Sequence, residues 1–198
     1  MERLEKKSDD ISRNFSEWLG YIDGENRQAI ERFMADRENL IAMVTAPGSR
    51  EAHQDWQGGW LEHERQTFMV ASKLYDLMQE TGVLDELSAH EWFTFSDCLT
   101  VLFLHDIEKP FIYGFDTDGS IINTRSMTKK ERKEFRQGII EQYGFEITPT
   151  MENALLHVEG VRDEYYQAGK RADQPLAALC HAADNMSARV FYNHGLPQ

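Results

Sequence analysis

Hydrophobic residues recur every three or four positions along most of the chain, which is the period of an amphipathic helix. This pattern predicts helices over residues 11–22, 27–44, about 61–78, and 87–106. In the first two helices the large apolar side chains share one face: Ile11, Phe15, Trp18, Leu19 and Ile22, then Ile30, Phe33, Met34, Leu40, Ile41 and Val44. The segment 87–106 is so apolar that its helix should be buried, with Ser88 as the N-cap.

The second half of the chain predicts three further helices, at about 129–143, 149–168 and 175–192. Pro149 and Pro175 open the last two, because proline fits the first turn of a helix.

Residues 109–123 are the strand-like part of the chain, with two short apolar runs on either side of the turn residues 116–119. This arrangement predicts a small β-hairpin. One proline and three glycines interrupt the helical period over residues 45–59, which predicts a loop. The predicted fold class is therefore all-α, a helical bundle with one small β-hairpin that follows the apolar helix.

A chain of 198 residues can form one domain with a substantial core. We expect a single compact domain over residues 47–192 and a helical extension over residues 1–46 packed on it. No stretch approaches the roughly 18 apolar residues of a membrane span, and the first residues lack the apolar core of a signal peptide. Cys98 and Cys180 lie in apolar helices and are expected to pack as small hydrophobic residues. A cytoplasmic protein without membrane contact is the expectation.

The net charge of −13 bears on the partners of the protein. Proteins that hold a nucleic-acid backbone usually present a basic face, because neutralised phosphates supply most of their non-specific affinity. The one basic run, residues 125–136, is either a solvated helix face or a local patch that attracts phosphate. The charge therefore disfavours a long nucleic acid without excluding it.

Candidate metal ligands stand at the ends or in the middle of apolar helices. They are His63, His105, Asp106 and Asp184. A carboxylate on an apolar helix costs several kcal/mol unless a partner offsets its charge, and a divalent metal shared with two histidines is such a partner. Two imidazoles and two carboxylates suit Mn²⁺, Fe²⁺, Co²⁺, Ni²⁺ or Zn²⁺ better than Ca²⁺. The ligand set therefore predicts a divalent transition metal.

The order of these residues resembles the HD superfamily of metal-dependent phosphohydrolases. The segment "HQDWQGGWLEH" resembles the His-x4-Gly-Gly-x3-His motif of a branch that contains 3′–5′ exoribonucleases and phage-encoded HD proteins. "HDIEK" resembles the His-Asp-x-x-Lys of that branch, and "PLAALCHAADNMSA" resembles its closing segment. The similarity extends from about residue 50 to residue 189, and it implies an HD-type helical bundle.

The resemblance also implies roles for individual residues. The metal ligands would be His63, His105, Asp106 and Asp184. The catalytic residues would be Asp106, which also orients the attacking water, Lys109, which holds a phosphate oxygen, and His53, which contacts the phosphate or supports the site. Substrate contacts are expected from Lys109, Trp56 and Arg189. The Gly58-Gly59 pair would permit the tight turn that brings His63 to the metal.

The chain departs from the two-metal members of the branch. Those members carry extra histidines soon after the His-Asp pair, whereas this chain has no histidine between Asp106 and His157. Three later residues, His157, Glu159 and His181, could hold a second metal or the substrate. We favour one metal over two.

The resulting functional prediction is a metal-dependent phosphohydrolase that cleaves phosphoester or phosphoanhydride bonds of a nucleotide or another small phosphorylated substrate. A phage-encoded protein would do this in the host cytoplasm. One alternative is a 3′–5′ exonuclease on single-stranded RNA or DNA. Another is an HD-type di-iron oxygenase with the ligands His63, His105, Asp106, His157, His181 and Asp184. A non-catalytic binding module also remains, and the N-terminal helices leave a homodimer open.

Overall fold

The computed structural model describes residues 15–50, 52–160 and 173–192. Residues 15–19 are helical and precede a series of α-helices interrupted by one hairpin. The helices are α1 (Gly24–Ala35), α2 (Arg37–Thr45), α3 (Gly59–Glu80), α4 (Phe95–His105), α5 (Lys109–Ile112), α6 (Lys129–Tyr143), α7 (Pro149–His157) and α8 (Pro175–Arg189), with a 3-10 turn at Val83–Glu86. The predicted all-α class is confirmed.

The hairpin lies where the sequence predicts it. Strand β1 (Tyr113–Phe115) pairs antiparallel with β2 (Ile121–Asn123), and Gly114 stands opposite Ile122. The turn between the strands is closed by the Asp116 backbone N–H, which donates to the Ser120 carbonyl oxygen at 2.9 Å. No helix among the described residues is long and apolar enough to cross a membrane.

The core is built around α3, α4 and α8. Helix α3 packs against both α4 and α8, and α7 packs against α4 and α8. Residues Leu99 to Leu104 of α4 are all fully buried, as the apolar segment predicts. Cys98 and Cys180 are both free and fully buried, with their Sγ atoms 3.8 Å apart, so the prediction of two unbridged cysteines is confirmed.

The N-terminal helices contribute aromatic side chains to the same core. The ring of Phe15 stacks on Phe68 with centroids 5.5 Å apart, and Phe33 meets Phe103 edge to face at 5.8 Å. Residues 15–46 therefore pack on the rest of the described chain, while the division at residue 46 stays a prediction.

The predicted single helix over 27–44 is wrong, because the chain breaks it at Asp36. The Asp36 backbone is extended, with ψ 116°, and its carboxylate accepts the Glu38 N–H at 2.9 Å as the N-cap of α2. Because the backbone is extended at Asp36, α2 does not continue the apolar face of α1. As a result Ile41, predicted on the apolar face, is 49% exposed, whereas Met43 is buried.

The predicted N-cap at Ser88 is also wrong. Ser88 and Glu91 pair through their side chains in an isolated turn, and the chain is extended again at Thr94. The buried helix begins at Phe95, where Thr94 and Asp97 form a reciprocal capping box. Two capping patterns follow each other in this stretch, and the second one starts the helix.

The last two predicted helices end earlier than expected. Helix α7 stops at His157, and Gly160 then adopts the left-handed region with φ 98°. The continuation predicted over 161–168 lies outside the described residues, as does Ile11 of the first predicted helix. Helix α8 ends at Arg189 rather than at residue 192.

Each glycine of the Gly58-Gly59 pair meets a different steric requirement. Gly58 is the N-cap of α3 in the left-handed region, with φ 79°. Gly59 instead packs against the preceding loop, where an added Cβ would lie 1.9 Å from the carbonyl oxygen of Gln54. That carbonyl accepts the Gly48 N–H at 2.8 Å, which joins residue 54 to residue 48 within the loop. Gln54 itself has a positive φ of 42°, which is uncommon for a residue other than glycine.

We expect Gly59→Ala to destabilise the protein by about 3 kcal/mol, because the methyl group would collide with backbone that cannot move freely. Gly58→Ala should cost about 1 kcal/mol, the usual strain of a side chain in the left-handed region. Urea unfolding of the two variants measures the difference. Equal losses would show that the loop adjusts and that Gly59 has no special packing role.

Candidate metal centre

Four side chains from three helices meet in a buried cluster. His63 lies in the second turn of α3, His105 is the last residue of α4, Asp106 follows it as the C-cap, and Asp184 lies on α8. One potential ligand atom from each residue lies within 4.8 Å of the others, which is close enough to hold a metal ion. The structure thus brings together the four residues that the sequence singles out as metal ligands.

The end of α4 is fixed by the start of α3. The indole Nε1–H of Trp60, a fully buried residue, donates to the backbone carbonyl oxygen of Asp106 at 3.1 Å. Asp106 leaves the helical conformation with φ −120° and ψ 20°, and α5 begins three residues later. This bond ties the His105-Asp106 pair to the helix that carries His63.

The histidine nitrogens of the cluster face carboxylate oxygens. His63 Nε2 is 3.3 Å from Asp184 Oδ1 and 3.7 Å from Asp106 Oδ2. His105 Nε2 is 3.2 Å from Asp106 Oδ2 and 3.7 Å from Asp184 Oδ1. Both Nε2 atoms are buried without a hydrogen-bond partner, a situation that costs about 1–3 kcal/mol for each atom. A divalent cation between them would satisfy both nitrogens and both carboxylates, so these residues fit a metal.

The protonation of His105 is set by its own helix. Its Nδ1 lies 2.5 Å from the carbonyl oxygen of Leu102, which can only accept a hydrogen bond. Nδ1 therefore carries a hydrogen, and Nε2 is the nitrogen directed at the cluster. This is the arrangement that a metal-binding histidine usually shows.

Asp106 is held ionised by the cations around it. Burial alone would raise the pKa of Asp106, but the charges of Lys109 and His105 outweigh burial and hold it well below its usual value. The Lys109 ammonium contacts Asp106 Oδ2 directly. Burial would lower the pKa of Lys109, but the Asp106 carboxylate outweighs this and raises it, so Lys109 stays charged. Lys109 thus lies at the cluster, while its role as a phosphate ligand stays a prediction.

His105 and Asp184, two further members of the cluster, carry opposite charges. Burial would lower the pKa of His105, but the Asp106 carboxylate outweighs it and holds this pKa well above its usual value. Burial would raise the pKa of Asp184, but the neighbouring rings of His105 and His63 hold it far below the usual value. A metal that binds here would have to displace a proton from His105, so its affinity should rise with pH.

Glu64 is a buried acid beside the cluster that the sequence reading did not identify. It is fully buried, neither carboxyl oxygen has a hydrogen-bond partner, and Oε1 is 3.8 Å from His105 Nδ1. Burial raises the pKa of Glu64 to about 8, so the group is mostly protonated at neutral pH. A signal was present in the sequence, because residues 62–67 are six consecutive polar residues in the middle of an apolar helix. All six are buried.

His53 reaches the cluster from the loop before α3. Its ring lies 4.8 Å from the ring of His63, centroid to centroid. Burial lowers the pKa of His53 to about 4, so the ring is neutral at pH 7. The two proposed substrate contacts are less buried: Trp56 is half-buried in the same loop, and Arg189 is exposed at the end of α8.

The three residues considered for a second metal are not gathered in the same way. His157 is buried at the end of α7, Glu159 is exposed, and His181 is half-buried on α8. His181 uses both ring nitrogens: Nδ1 donates to the Val158 carbonyl at 2.6 Å, and Nε2 accepts from the Asn185 amide at 2.9 Å. In the part of the chain that the structure describes, His63, His105, Asp106 and Asp184 are the one group with metal-ligand spacing.

Comparisons with known proteins add no relative from which a function could be transferred. No protein-family model matches this chain, no curated protein matches it, and no solved structure matches it. A proposal for the function therefore depends on the geometry and the charges of the cluster.

Proposed function

We propose that this protein is a metal-dependent phosphohydrolase of the HD type, acting on a nucleotide or another small phosphorylated substrate. The observation that supports it is the buried cluster of two histidines and two aspartates, in which both Nε2 atoms lack a partner. This donor set suits Mn²⁺, Fe²⁺, Co²⁺, Ni²⁺ or Zn²⁺. The four residues also occur in the order and near the motifs that resemble the HD superfamily.

The chemistry of the proposal divides between the metal and the chain. A divalent metal held by His63, His105, Asp106 and Asp184 would act as a Lewis acid toward a phosphoryl oxygen and would lower the pKa of water, so that a nucleophile would be available near neutral pH. His63 and His105 direct their Nε2 atoms into the cluster, and Asp106 and Asp184 bring negative charge from two sides. The Lys109 cation offsets part of the charge on the phosphoryl oxygens of the substrate.

The exposed side of the cluster indicates how a substrate would approach. The side chains of Asp184 and Lys109 are 19% and 16% exposed, whereas those of His63 and His105 are at most 1% exposed. A substrate would therefore meet the cluster on the side of Asp184 and Lys109. The net charge of −13 favours a small substrate, whose own charge can be neutralised locally by the cation and the metal.

The test combines elemental analysis with an activity panel. Purified protein, a His105→Ala variant and a His90→Ala control, which changes an exposed histidine, are analysed for bound metal. Each is then assayed with Mn²⁺, Co²⁺, Ni²⁺ or Zn²⁺ on nucleoside mono-, di- and triphosphates and on a single-stranded oligonucleotide. We expect about one metal per chain and release of phosphate or pyrophosphate, both lost in His105→Ala and retained in His90→Ala.

Other results would direct the function elsewhere. Shortening of the oligonucleotide with a strong salt dependence would identify an exonuclease. Two irons per chain with consumption of oxygen would identify an oxygenase. Bound metal without turnover of any substrate in the panel would leave a binding module.

A further inference from the structure

A buried chain of side-chain hydrogen bonds runs behind His63, on the side away from the cluster. We call Gln54, Gln66 and Ser187 the amide chain, and all three are fully buried. Gln66 Nε2 donates to the Glu62 carboxylate at 3.1 Å. The Arg65 guanidinium also donates to both oxygens of this carboxylate, so Glu62 is the acceptor here and the contact fixes the orientation of the Gln66 amide. The carbonyl oxygen of that amide consequently points toward Gln54 and Ser187.

The direction of each hydrogen bond then follows along the amide chain. Gln66 Oε1 accepts from Gln54 Nε2 at 2.7 Å and from the Ser187 hydroxyl at 2.8 Å. A serine hydroxyl has one hydrogen, and Ser187 uses it toward Gln66. Ser187 Oγ also lies 2.9 Å from His63 Nδ1, and in that contact it can only accept. His63 Nδ1 must therefore carry the hydrogen.

This arrangement leaves the other nitrogen of His63 free for a metal. A neutral imidazole has one N–H, so Nε2 keeps its lone pair. That Nε2 is the atom that faces Asp184 at 3.3 Å and has no hydrogen-bond partner. If Ser187 instead donated to Nδ1, the hydrogen of the ring would sit on Nε2 and would block a metal.

We propose that Gln66 and Ser187 are positioning residues that hold His63 as its Nδ1–H tautomer and thereby set the metal affinity of the cluster. This inference rests on the proposed metal site. Gln54 orients the neighbouring histidine in the same way. Its amide nitrogen donates to Gln66, so its Oε1 is the atom that lies 2.5 Å from His53 Nδ1. The neighbouring rings of His53 and His63 are thus both oriented by the amide chain.

The backbone of Gln54 is hydrogen-bonded through both its N–H and its carbonyl, which holds this end of the amide chain in place. The Gln54 N–H donates to the Tyr192 carbonyl at 3.0 Å, and its own carbonyl accepts from Gly48 at 2.8 Å. Gly59 packs against that carbonyl. The amide chain therefore joins the loop before α3 to α3 itself and to α8.

The main test is the zinc affinity of four variants, measured by competition with a chromophoric chelator. Ser187→Ala removes the acceptor for His63 Nδ1 and should weaken binding about 10- to 100-fold, the usual effect of losing such a support. Gln66→Met frees the Ser187 hydroxyl to donate to Nδ1 and should weaken binding to a similar extent. Ser187→Thr keeps a hydroxyl and should restore most of the affinity.

Thr67→Ala is the matched control, at the position next to Gln66 on α3. Thr67 is fully buried, and its hydroxyl donates to the backbone carbonyl of Glu64. It should lower the melting temperature about as much as Ser187→Ala does and leave the zinc affinity unchanged. If Ser187→Ala and Gln66→Met both bind zinc as tightly as the unchanged protein, the inference is overturned.

A second measurement reads the tautomer directly and separates this inference from the function. The ¹⁵N shifts of the histidine rings, assigned with a His63→Gln variant, distinguish Nδ1–H from Nε2–H. We expect His63 to be Nδ1–H in the unchanged protein and in Thr67→Ala, and to lose this preference in Ser187→Ala. An Nε2–H ring in the unchanged protein contradicts the inference even if the protein is an active hydrolase. The expected shifts in a protein without phosphohydrolase activity would support the inference while the proposed function failed.

Discussion

Replacing Asp106 with asparagine should reduce metal affinity at least about 100-fold and destabilise the protein by roughly 3 kcal/mol. The change removes a charge from the centre of the cluster, where Oδ2 faces His105 Nε2 at 3.2 Å. It also leaves the ammonium of Lys109 without the carboxylate that it contacts. An unpaired cation whose side chain is only 16% exposed is costly, and this explains why the loss should extend to stability.

A double variant separates the two consequences. Lys109→Met alone should be destabilising, because it removes one of the two cations that contact Asp106. The combination of Asp106→Asn with Lys109→Met removes both charges and should recover most of the stability, since the cost of the single changes comes from the unpaired partner. Metal binding should stay lost in the double variant.

Calorimetry with Mn²⁺ or Zn²⁺ and urea unfolding of the chelated protein measure these two quantities. Metal affinity that survives Asp106→Asn would show that the ion binds elsewhere, and the proposed centre would have to be abandoned. Independent, additive losses in the double variant would show that Lys109 and Asp106 do not stabilise each other.

The second large effect is expected at Glu64. The pKa of this buried acid is raised from 4.5 to about 8 by burial. Between these two values the folded protein binds a proton that the unfolded chain releases, so the free energy of unfolding falls as the pH rises through this window. Each unit of pKa corresponds to about 1.4 kcal/mol, so Glu64 should cost the protein about 4 kcal/mol more at pH 9 than at pH 5.

Glu64→Gln removes this dependence because glutamine cannot ionise. We expect the variant and the unchanged protein to have similar stability at pH 5 and the variant to be more stable by about 4 kcal/mol at pH 9. Urea unfolding of chelated protein at both pH values gives the comparison. Glu80→Gln, at an exposed position at the end of the same helix, is the control and should show no such change. A Glu64→Gln variant with the pH profile of the unchanged protein would mean that water or a cation reaches the carboxylate.

The location of the cluster could be predicted from the sequence because its members disturb an otherwise apolar pattern. His105 and Asp106 directly follow the four hydrophobic residues Val101 to Leu104 at the end of one helix, and Asp184 interrupts another. Charged groups in such places require a partner, so composition and order are enough to associate them. The helices themselves were predictable for the same reason, since apolar periodicity fixes which face must be buried.

Ser187, Gln66 and Glu64 could not be assigned in this way. Each is an ordinary residue in a helix, and its importance depends on the side chain that it meets. Gln66 and Ser187 meet across the interface of α3 and α8, and Glu64 faces His105 of α4. Ser187 lies 124 residues from the histidine that it contacts. Pairings over such separations follow from packing and not from local pattern. The polar run over residues 62–67 shows that something must be buried there, but it does not show the direction of a single hydrogen bond.

The predictions of helix boundaries were wrong where two local hydrogen-bonding arrangements compete. The apolar positions keep the same phase on both sides of Asp36, since Met34 and Ile41 are seven residues apart, so periodicity alone gives no reason for a break there. The break depends on a carboxylate that caps the following helix, which is a choice between two hydrogen bonds of similar strength. The same competition occurs at Ser88 and Thr94, each of which has an acidic residue three positions later.

The hydrogen bond from Trp60 to Asp106 also makes the fluorescence of this tryptophan a probe of the cluster. Of the four tryptophans, Trp60 is fully buried, whereas Trp92 is 56% exposed and Trp18 and Trp56 are half-buried. Its indole is attached to the residue at the centre of the charge cluster, so a change of charge there alters the electric field across the ring. The fluorescence that a water-soluble quencher does not remove should therefore come mainly from the Trp60 indole. The wavelength of this emission should shift when the charge of the cluster changes, so no added label is needed.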